Sequence, residues 1–410
     1  MISQLRHLYE DLRALFQTTC SPFFGSVLLA LAVLVMMAGA THWGVFGGLR
    51  YLGDAINHLL GLDGILGLPE KLSSPFKQRI LISDVALILG SLASALIAGR
   101  YRLVPPPPAE YVSGAFGGCL MGVGAALAGG CTVGGFFTPL TFFSPSGWMM
   151  LLGLMAGAAI GVRLLLWAME VFAWGKAPSP LGNQPFWKKI SPLLGWMVLV
   201  LAVSWGVHLY RDSGNYGTQG LTVLTALFIG IVLQRSRLCF SKAIREPFMT
   251  GDGQHAKAVM LLLALITPPA AMFIQRGFLS PYENIPPSFW PGSLLGGLSF
   301  GVGMVFAGGC ATSTLWRLGE GNLKMVSTLF FFAWSGSTAS ALLSRSGWTE
   351  RNYDLDFLNA IPALTDLGFQ AFLPDLLGSW SATLATTYGV LVLWYLLIRY
   401  NERSERFTVF

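Results

Sequence analysis

The sequence predicts an all-α polytopic membrane protein of about 9–10 membrane segments, organised around two inverted, glycine-rich repeats in which a helix breaks. Three observations carry that prediction: the composition, the spacing of uncharged runs, and an internal repeat. Of 410 residues, 53% are hydrophobic and only 11% charged, whereas soluble domains carry about 25% charged residues. Uncharged or nearly uncharged stretches fall at about 23–41, 80–99, 111–131, 147–172, 192–210, 219–234, 256–275, 292–310, 323–344 and 384–400. Each is close to the roughly 20 residues that cross a bilayer as a helix.

Taken in order, residues 1–22 form a cytoplasmic N-terminal segment. Arg6, Glu10, Asp11 and Arg13 precede the first apolar stretch, and no small-residue cleavage site follows it, so a cleaved signal peptide is not expected. Residues 23–191 make a first half carrying a Gly-Gly-Cys motif at 129–131. Residues 192–400 make a second half with Cys-Phe at 239–240 and Gly-Gly-Cys at 308–310, and 401–410 is a cytoplasmic tail. Pro105–Pro108 stiffens the approach to the first motif, as "PYENIPPSFWPG" at 281–292 does for the second. The glycine- and proline-rich stretches 42–79 and 345–383 read as amphipathic segments lying on the outer surface, with short re-entrant pieces as the alternative.

Charge sets the orientation. With the amino terminus in the cytoplasm, 17 Lys and Arg fall on the cytoplasmic side and 8 on the other, as the positive-inside rule requires. Both termini are then cytoplasmic. The net charge of +6 is used for orientation, and nucleic acid is not an expected partner.

"GGCLMGVGAALAGGC" at 117–131 aligns without a gap on "GGLSFGVGMVFAGGC" at 296–310, and nine of fifteen positions agree. In this topology the first copy runs outward and the second inward. Inverted repeats mark transport folds whose site lies near the midplane, where helices break. Small residues three and four apart, such as Gly122, Ala126 and Gly130, also suit close helix packing. Packing alone does not account for the paired glycines Gly129–Gly130 and Gly308–Gly309, each of which weakens a helix by about 1 kcal/mol relative to alanine. Both helices are expected to stop there.

A helix broken inside the membrane leaves N–H groups that carry partial positive charge and can hold an anion. A thiol at that point is soft and polarizable, better suited to a sulfur atom than to a hard oxygen. Cys131 and Cys310 are therefore expected to approach one centre from opposite sides. Cys239, in "LQRSRLCFSKAIRE" beside Arg235 and Arg237, sits at a cytoplasmic exit. Cys119 aligns with Leu298 and reads as a core residue, and Cys20 as incidental. No C-x-x-C spacing occurs and the five histidines are scattered, so no metal site, cofactor or disulfide framework is expected. Asp84 and Glu170 are the acidic residues available for ion coupling, though both also suit span ends.

The motifs "GVGAALAGGCTVGGFF", "LQRSRLCFSKAIRE" and "GGLSFGVGMVFAGGCATSTLWRLGEGN" resemble the YeeE/YedE family of sulfur-compound membrane transporters, in particular its longer YedE-like branch. The resemblance implies an hourglass-shaped helical protein with opposed helix-loop-helix elements and a path marked by three cysteines, which fall on Cys131, Cys239 and Cys310. Shorter relatives carry a further Cys-Phe motif in the first half. The corresponding region here, read as "LASALIAGRYRLV" or the segment before it, has no cysteine.

The expected function is a bacterial inner-membrane importer of thiosulfate, not an enzyme, with Cys131, Cys239, Cys310, Gly129, Gly130, Gly308 and Gly309 binding substrate. The bilayer and a cytoplasmic sulfur-carrier protein are the other expected partners. A selenium compound or another small sulfur species is the alternative substrate, and a membrane thiol redox protein the alternative class.

Overall fold

A computed structural model of the chain describes residues 16, 18–69, 71–171, 185–211, 217–280, 290–346 and 372–408. Most of the expected N-terminal segment, the linker 281–289 and most of 345–383 lie outside the described residues. Among the described residues the protein is helical throughout and has no strand beyond one isolated bridge, Val104 with Asn322. Among the described residues nine helices or helix-plus-short-helix runs are long and apolar enough to cross a membrane, and Pro22–Ala38 is a shorter apolar helix. The expected helical membrane architecture is therefore present.

The first unit contains α1 (Pro22–Ala38), α2 (Phe46–Leu59), α3 (Arg79–Ile97), α4 (Pro108–Leu127), α5 (Thr132–Phe137 running on into Thr138–Thr141) and α6 (Ser146–Val171). After α7 (Pro185–Arg211) the order recurs: α8 (Gly217–Ser236), the short α9 (Phe240–Met249), α10 (Gln254–Gln275), α11 (Trp290–Ala307), the short α12 (Ala311–Gly319) and α13 (Lys324–Arg345). A final helix, α14, covers Trp380–Ser404. The boundary expected between residues 191 and 192 falls inside α7, which is continuous through Pro192.

Four helices form the central row, in the order α6, α11, α4, α13. Glycines set their spacing. A Cβ on Gly117 would stand 2.6 Å from the Gly303 carbonyl oxygen, and one on Gly124 would stand 2.5 Å from that of Gly296. Gly117 aligns with Gly296 and Gly124 with Gly303, so the two repeat copies pack antiparallel through contacts that exchange with one another. The flanking pairs run parallel: Gly157 meets Gly301 and Gly122 meets Gly336, where an added Cβ would lie 2.9 Å and 2.6 Å from backbone atoms. Close backbone approach of this kind drives helix association where lipid offers no hydrophobic contrast.

The outer helices repeat the same pairing. α3 packs on α8 as α10 packs on α1, and α7 covers α3 as α14 covers α10. α2 differs from the surface segment expected for 42–79. Phe46, Leu49, Tyr51 and Asn57 are buried, Gly53 abuts Ala333 and Ser337, and Asn57 donates to Ser337 Oγ at 2.9 Å. Its polar face finds partners on α13, which holds the helix inside the bundle rather than on it.

Candidate functional site

The two Gly-Gly-Cys motifs fold alike. α4 ends at Leu127 and α11 at Ala307. The first glycine of each pair then takes a left-handed conformation, with φ +72° at Gly129 and +79° at Gly308, which residues with a Cβ adopt at a cost of about 1–2 kcal/mol. The second glycine is where the next helix folds back. A Cβ on Gly130 would lie 2.6 Å from the Gly134 carbonyl carbon, and one on Gly309 would lie 2.5 Å from Ser313 Oγ. The cysteine is extended, at φ −74°, ψ −170° for Cys131 and φ −81°, ψ 174° for Cys310, and occupies the N-cap of α5 and α12 respectively. One glycine reverses the chain, the next admits the new helix, and the thiol is delivered to that helix's N-terminal end.

Cys239 reaches the same kind of position by a different route. α8 stops at Ser236, Arg237 turns the chain with φ +55°, and Cys239 is the extended N-cap of α9. All three thiols therefore stand at N-caps, where free backbone N–H groups of the first turn are available to an acceptor. The Val133, Gly134 and Phe46 N–H groups face the Cys131 sulfur, and that of Lys242 faces Cys239.

These side chains converge. The thiols of Cys239 and Cys310 are neighbours, the Ser313 hydroxyl faces both, and Thr132, next to Cys131, faces Cys310. Cys131 and Cys310 are wholly buried and Cys239 is 5% exposed. All five cysteines are free thiols. Trp43, Phe137 and Phe240 form a ring cluster with centroids 5.7–6.2 Å apart, which ties the entry to α2 to both α5 and α9. Thr138 Oγ1 donates to the Trp43 carbonyl at 3.0 Å.

Charge is distributed unevenly around the thiols. The Arg317 guanidinium donates to the Gly308 carbonyl at 2.7 Å, satisfying an orphan acceptor at the broken end of α11. Arg245 and Arg317 both lie near enough to Cys239 to act on it electrostatically. Arg237 pairs with Glu320 at 2.7 Å and lies 5.4 Å from the centre of the Trp316 ring. Gln234 donates to the same carboxylate at 2.8 Å and accepts from Ser94 at 2.7 Å. On the Cys131 side, α5 carries no charged residue.

The structure thus pairs Cys239 with Cys310 and sets Cys131 one residue from Thr132, which faces Cys310, with Gly129, Gly130, Gly308 and Gly309 forming the turns before Cys131 and Cys310. Cys119 stays apart on α4, where its carbonyl accepts from Ser335 at 3.2 Å. Cys20 also stays apart, its N–H donating to the Arg235 carbonyl at 3.2 Å. Among the described residues no group of His, Cys, Asp and Glu is arranged to hold a metal ion.

Sequence reasoning did not single out Thr132, Ser313, Arg245, Arg317 or Val45. The first-half counterpart of Cys239 is not in "LASALIAGRYRLV", which forms the end of α3 and the turn after it. By order of elements it is Val45, the fully buried N-cap of α2, followed by Phe46 as Cys239 is followed by Phe240. A search keyed on cysteine could not find a position occupied by valine; the signal was the shared X-Phe step after a turn.

Comparison with known proteins agrees with the motifs. A family model described as sulphur transport matches residues 6–160 and 235–408. "Probable transporter YedE" of Salmonella typhimurium is 28% identical over 296 residues, 69% of this chain and 71% of that protein, and the Escherichia coli protein of the same name matches equally well. "Thiosulfate transporter TsuA" of Spirochaeta thermophila is 35% identical over a shorter stretch of 123 residues, 30% of this chain and 37% of the relative. A family match over most of the chain, together with two broken-helix motifs and a multi-pass helical fold, makes this protein a member of the YeeE/YedE sulphur transport family of bacterial membrane transporters.

Proposed function

We propose that the protein imports thiosulfate across the bacterial inner membrane, its terminal sulfur passing Cys131, Cys310 and Cys239 while N–H groups at the starts of α5, α12 and α9 offset the anion's charge. The observation that carries this reading is the Cys239–Cys310 thiol pair at Ser313, which the Thr132 hydroxyl next to Cys131 also reaches, with all three cysteines buried at the N-caps of helices. N-caps supply partial positive charge, and thiols supply a soft contact that a sulfate oxygen does not reward. Gly129, Gly130, Gly308 and Gly309 build the turns that expose those groups. No bond to the substrate has to form, so the protein acts as a transporter and not as an enzyme.

The antiparallel packing of α4 on α11 supports an inverted repeat about an axis in the membrane plane, and the 17-to-8 distribution of basic residues supports cytoplasmic termini. Arg245, Arg317 and Lys242 then surround the cytoplasmic end of the path, where a sulfur-carrier protein would receive the product. Topology reporters after Arg102 and Phe410 should read inside and one after Ser213 outside; the opposite result at any one of the three breaks this topology.

Uptake of labelled thiosulfate into vesicles reconstituted with the pure protein tests the reading. Unlabelled thiosulfate should compete far better than sulfate, and equal competition removes the soft-contact mechanism. The relatives covered over 69% of the chain carry a name that gives no substrate, and a selenium species is the second reading. Stronger competition by selenosulfate than by thiosulfate would establish it.

A further inference from the structure

Asp84 is the only acidic residue among the described ones that is buried outright, at 3% exposure. It lies in α3, within a candidate membrane span. Neither carboxyl oxygen has a hydrogen-bond partner. Glu170, the other acidic residue considered for coupling, is exposed at the last turn of α6. The structure therefore separates the two: one marks a helix end, and the other is enclosed.

The surroundings of Asp84 are apolar. It lines a cavity of about 650 Å³ between α2, α3, α12 and α13 whose other walls, including Leu49, Leu81, Ile88, Leu315 and Phe330, carry no charge. The α2 backbone passes over the carboxyl at Gly48, where even a Cβ would collide with it. The titratable groups on neighbouring elements are placed elsewhere. On α2, Asp54 accepts from Ser337 Oγ at 2.5 Å, His58 pairs with Asp63 at 3.0 Å, and Arg50 is exposed. Arg317 of α12 serves Gly308, and neither Arg79 of α3 nor Arg235 of α8 forms an ion pair with Asp84 among the described residues. One group of the path does reach it: Cys131 of α5 lies near enough for their charges to interact.

An ionised carboxylate with no partner in an apolar site is strongly disfavoured, and the neutral acid is the stored form. An acidic residue held this way inside a membrane span is a functional group by default. We propose that Asp84 is a proton-binding site that couples anion entry to proton entry. The proposal rests on the reading of Cys131 as part of the anion's path. A negative substrate at Cys131 repels a carboxylate at Asp84, so anion occupancy and protonation of Asp84 favour each other, and by linkage each strengthens the other's binding equally. When the anion moves on toward Cys239 that mutual stabilisation ends, and the proton can leave. Carriage of one proton also cancels one of the two charges of a thiosulfate dianion, each of which costs about 2.3 kcal/mol per 100 mV on entry against an inside-negative potential.

The test uses the full-length protein in vesicles that enclose a pH dye, with the potential clamped by potassium and an ionophore and with sodium absent. A pulse of labelled thiosulfate should bring protons in with the anion. In Asp84→Asn the ratio should fall by roughly one proton per anion, the coupled ligand having been removed, and Asp84→Glu should restore it. An unchanged ratio in Asp84→Asn overturns the proposal. So does thiosulfate entry into wild-type vesicles without proton movement, or entry that requires sodium; both are read on the wild-type protein and do not depend on folding of a variant. No thiosulfate entry into wild-type vesicles either with or without sodium would instead remove the substrate reading on which the proposal rests.

Discussion

The two six-helix units, α1–α6 and α8–α13, place a short helix at the same point after their first helix, but one begins on Val45 and the other on Cys239. Their second short helices both begin on cysteine. Charge follows the same division. α9 and α12 bring Arg245 and Arg317 close to Cys239, whereas α5 is uncharged, Trp43 before α2 packs on Phe137, and Phe46 at the start of α2 packs on Phe332. The two units share the Gly-Gly-Cys turn, and only the second has a thiol pair with cations close to it. On the path proposed above, the Cys131 side is largely apolar and aromatic and the Cys239–Cys310 side basic, so its two ends are chemically unequal even where the helices match.

The largest effect should come from the thiols that the halves share or fail to share. Alanine at Cys131, Cys239 or Cys310 is expected to reduce thiosulfate uptake to background with the protein still inserted, while Cys20→Ala and Cys119→Ala transport normally. Serine separates the two possible duties of the thiol, being a better hydrogen-bond donor but lacking the soft sulfur. Uptake should stay lost in all three serine variants. If serine restores Cys131 but not Cys239, the two halves differ in mechanism and not merely in composition.

The next effect tests the backbone device that the halves have in common. Gly130→Ala and Gly309→Ala should both impair uptake, because each new Cβ meets the first turn of the following helix at 2.5–2.6 Å. Gly130→Ala should be worse. Its Cβ meets backbone at Gly134 and Gly135, which cannot swing aside, whereas at Gly309 it meets the rotatable Ser313 hydroxyl. Expression, detergent melting and uptake measured on both variants check the order, and equal damage would mean that the α5 and α12 turns are equally stiff.

How far these features could be read from sequence follows from what marks them. The ten apolar stretches correspond to helices within a few residues, because spanning length and lack of charge are imposed by the bilayer itself. The Gly-Gly-Cys turns were legible because each glycine has a separate backbone duty that no other residue performs as well. α2 was not, since its amphipathic pattern is the same whether the helix lies on the outer surface or inside the bundle; only the tertiary partners Ser337 and Thr338 of Asn57 decide it. The counterpart of Cys239 was missed because valine occupies that position and its backbone differs, with ψ −39° at Val45 against 121° at Cys239. Arg245 and Arg317 read as orientation charges in sequence, and only folding brings them to a thiol.

An intermediate effect should follow from Arg317→Gln. The guanidinium caps the Gly308 carbonyl and adds positive charge near Cys239. A buried acceptor left unsatisfied costs about 1–3 kcal/mol, and the same range expressed as affinity is roughly 5- to 150-fold. Glutamine can still donate one hydrogen bond, so the loss in apparent thiosulfate affinity should sit toward the low end. Raising ionic strength should weaken wild-type uptake less than the substitution does, because buried charges are poorly screened. An affinity unchanged by Arg317→Gln would reduce the basic exit to an orientation signal.

The smallest effect, and the sharpest on the comparison, is expected from Val45→Cys. The substitution slightly reduces volume at a buried N-cap, and near-isosteric changes of this kind cost less than about 1.5 kcal/mol. It gives α2 the Cys-Phe step of α9. Uptake in the otherwise wild-type protein should change by less than about tenfold. The informative variant combines Val45→Cys with Cys239→Ala, which moves the second thiol from the exit to the entrance while keeping the total at three in the cluster. Uptake should remain lost, because α2 has no counterpart close to the thiols for Arg245 and Arg317, and because the Cys310 thiol would still lack its neighbour. Recovery of uptake would show that the number of thiols matters and their side does not, and the chemical inequality of the two halves would then have no role in transport.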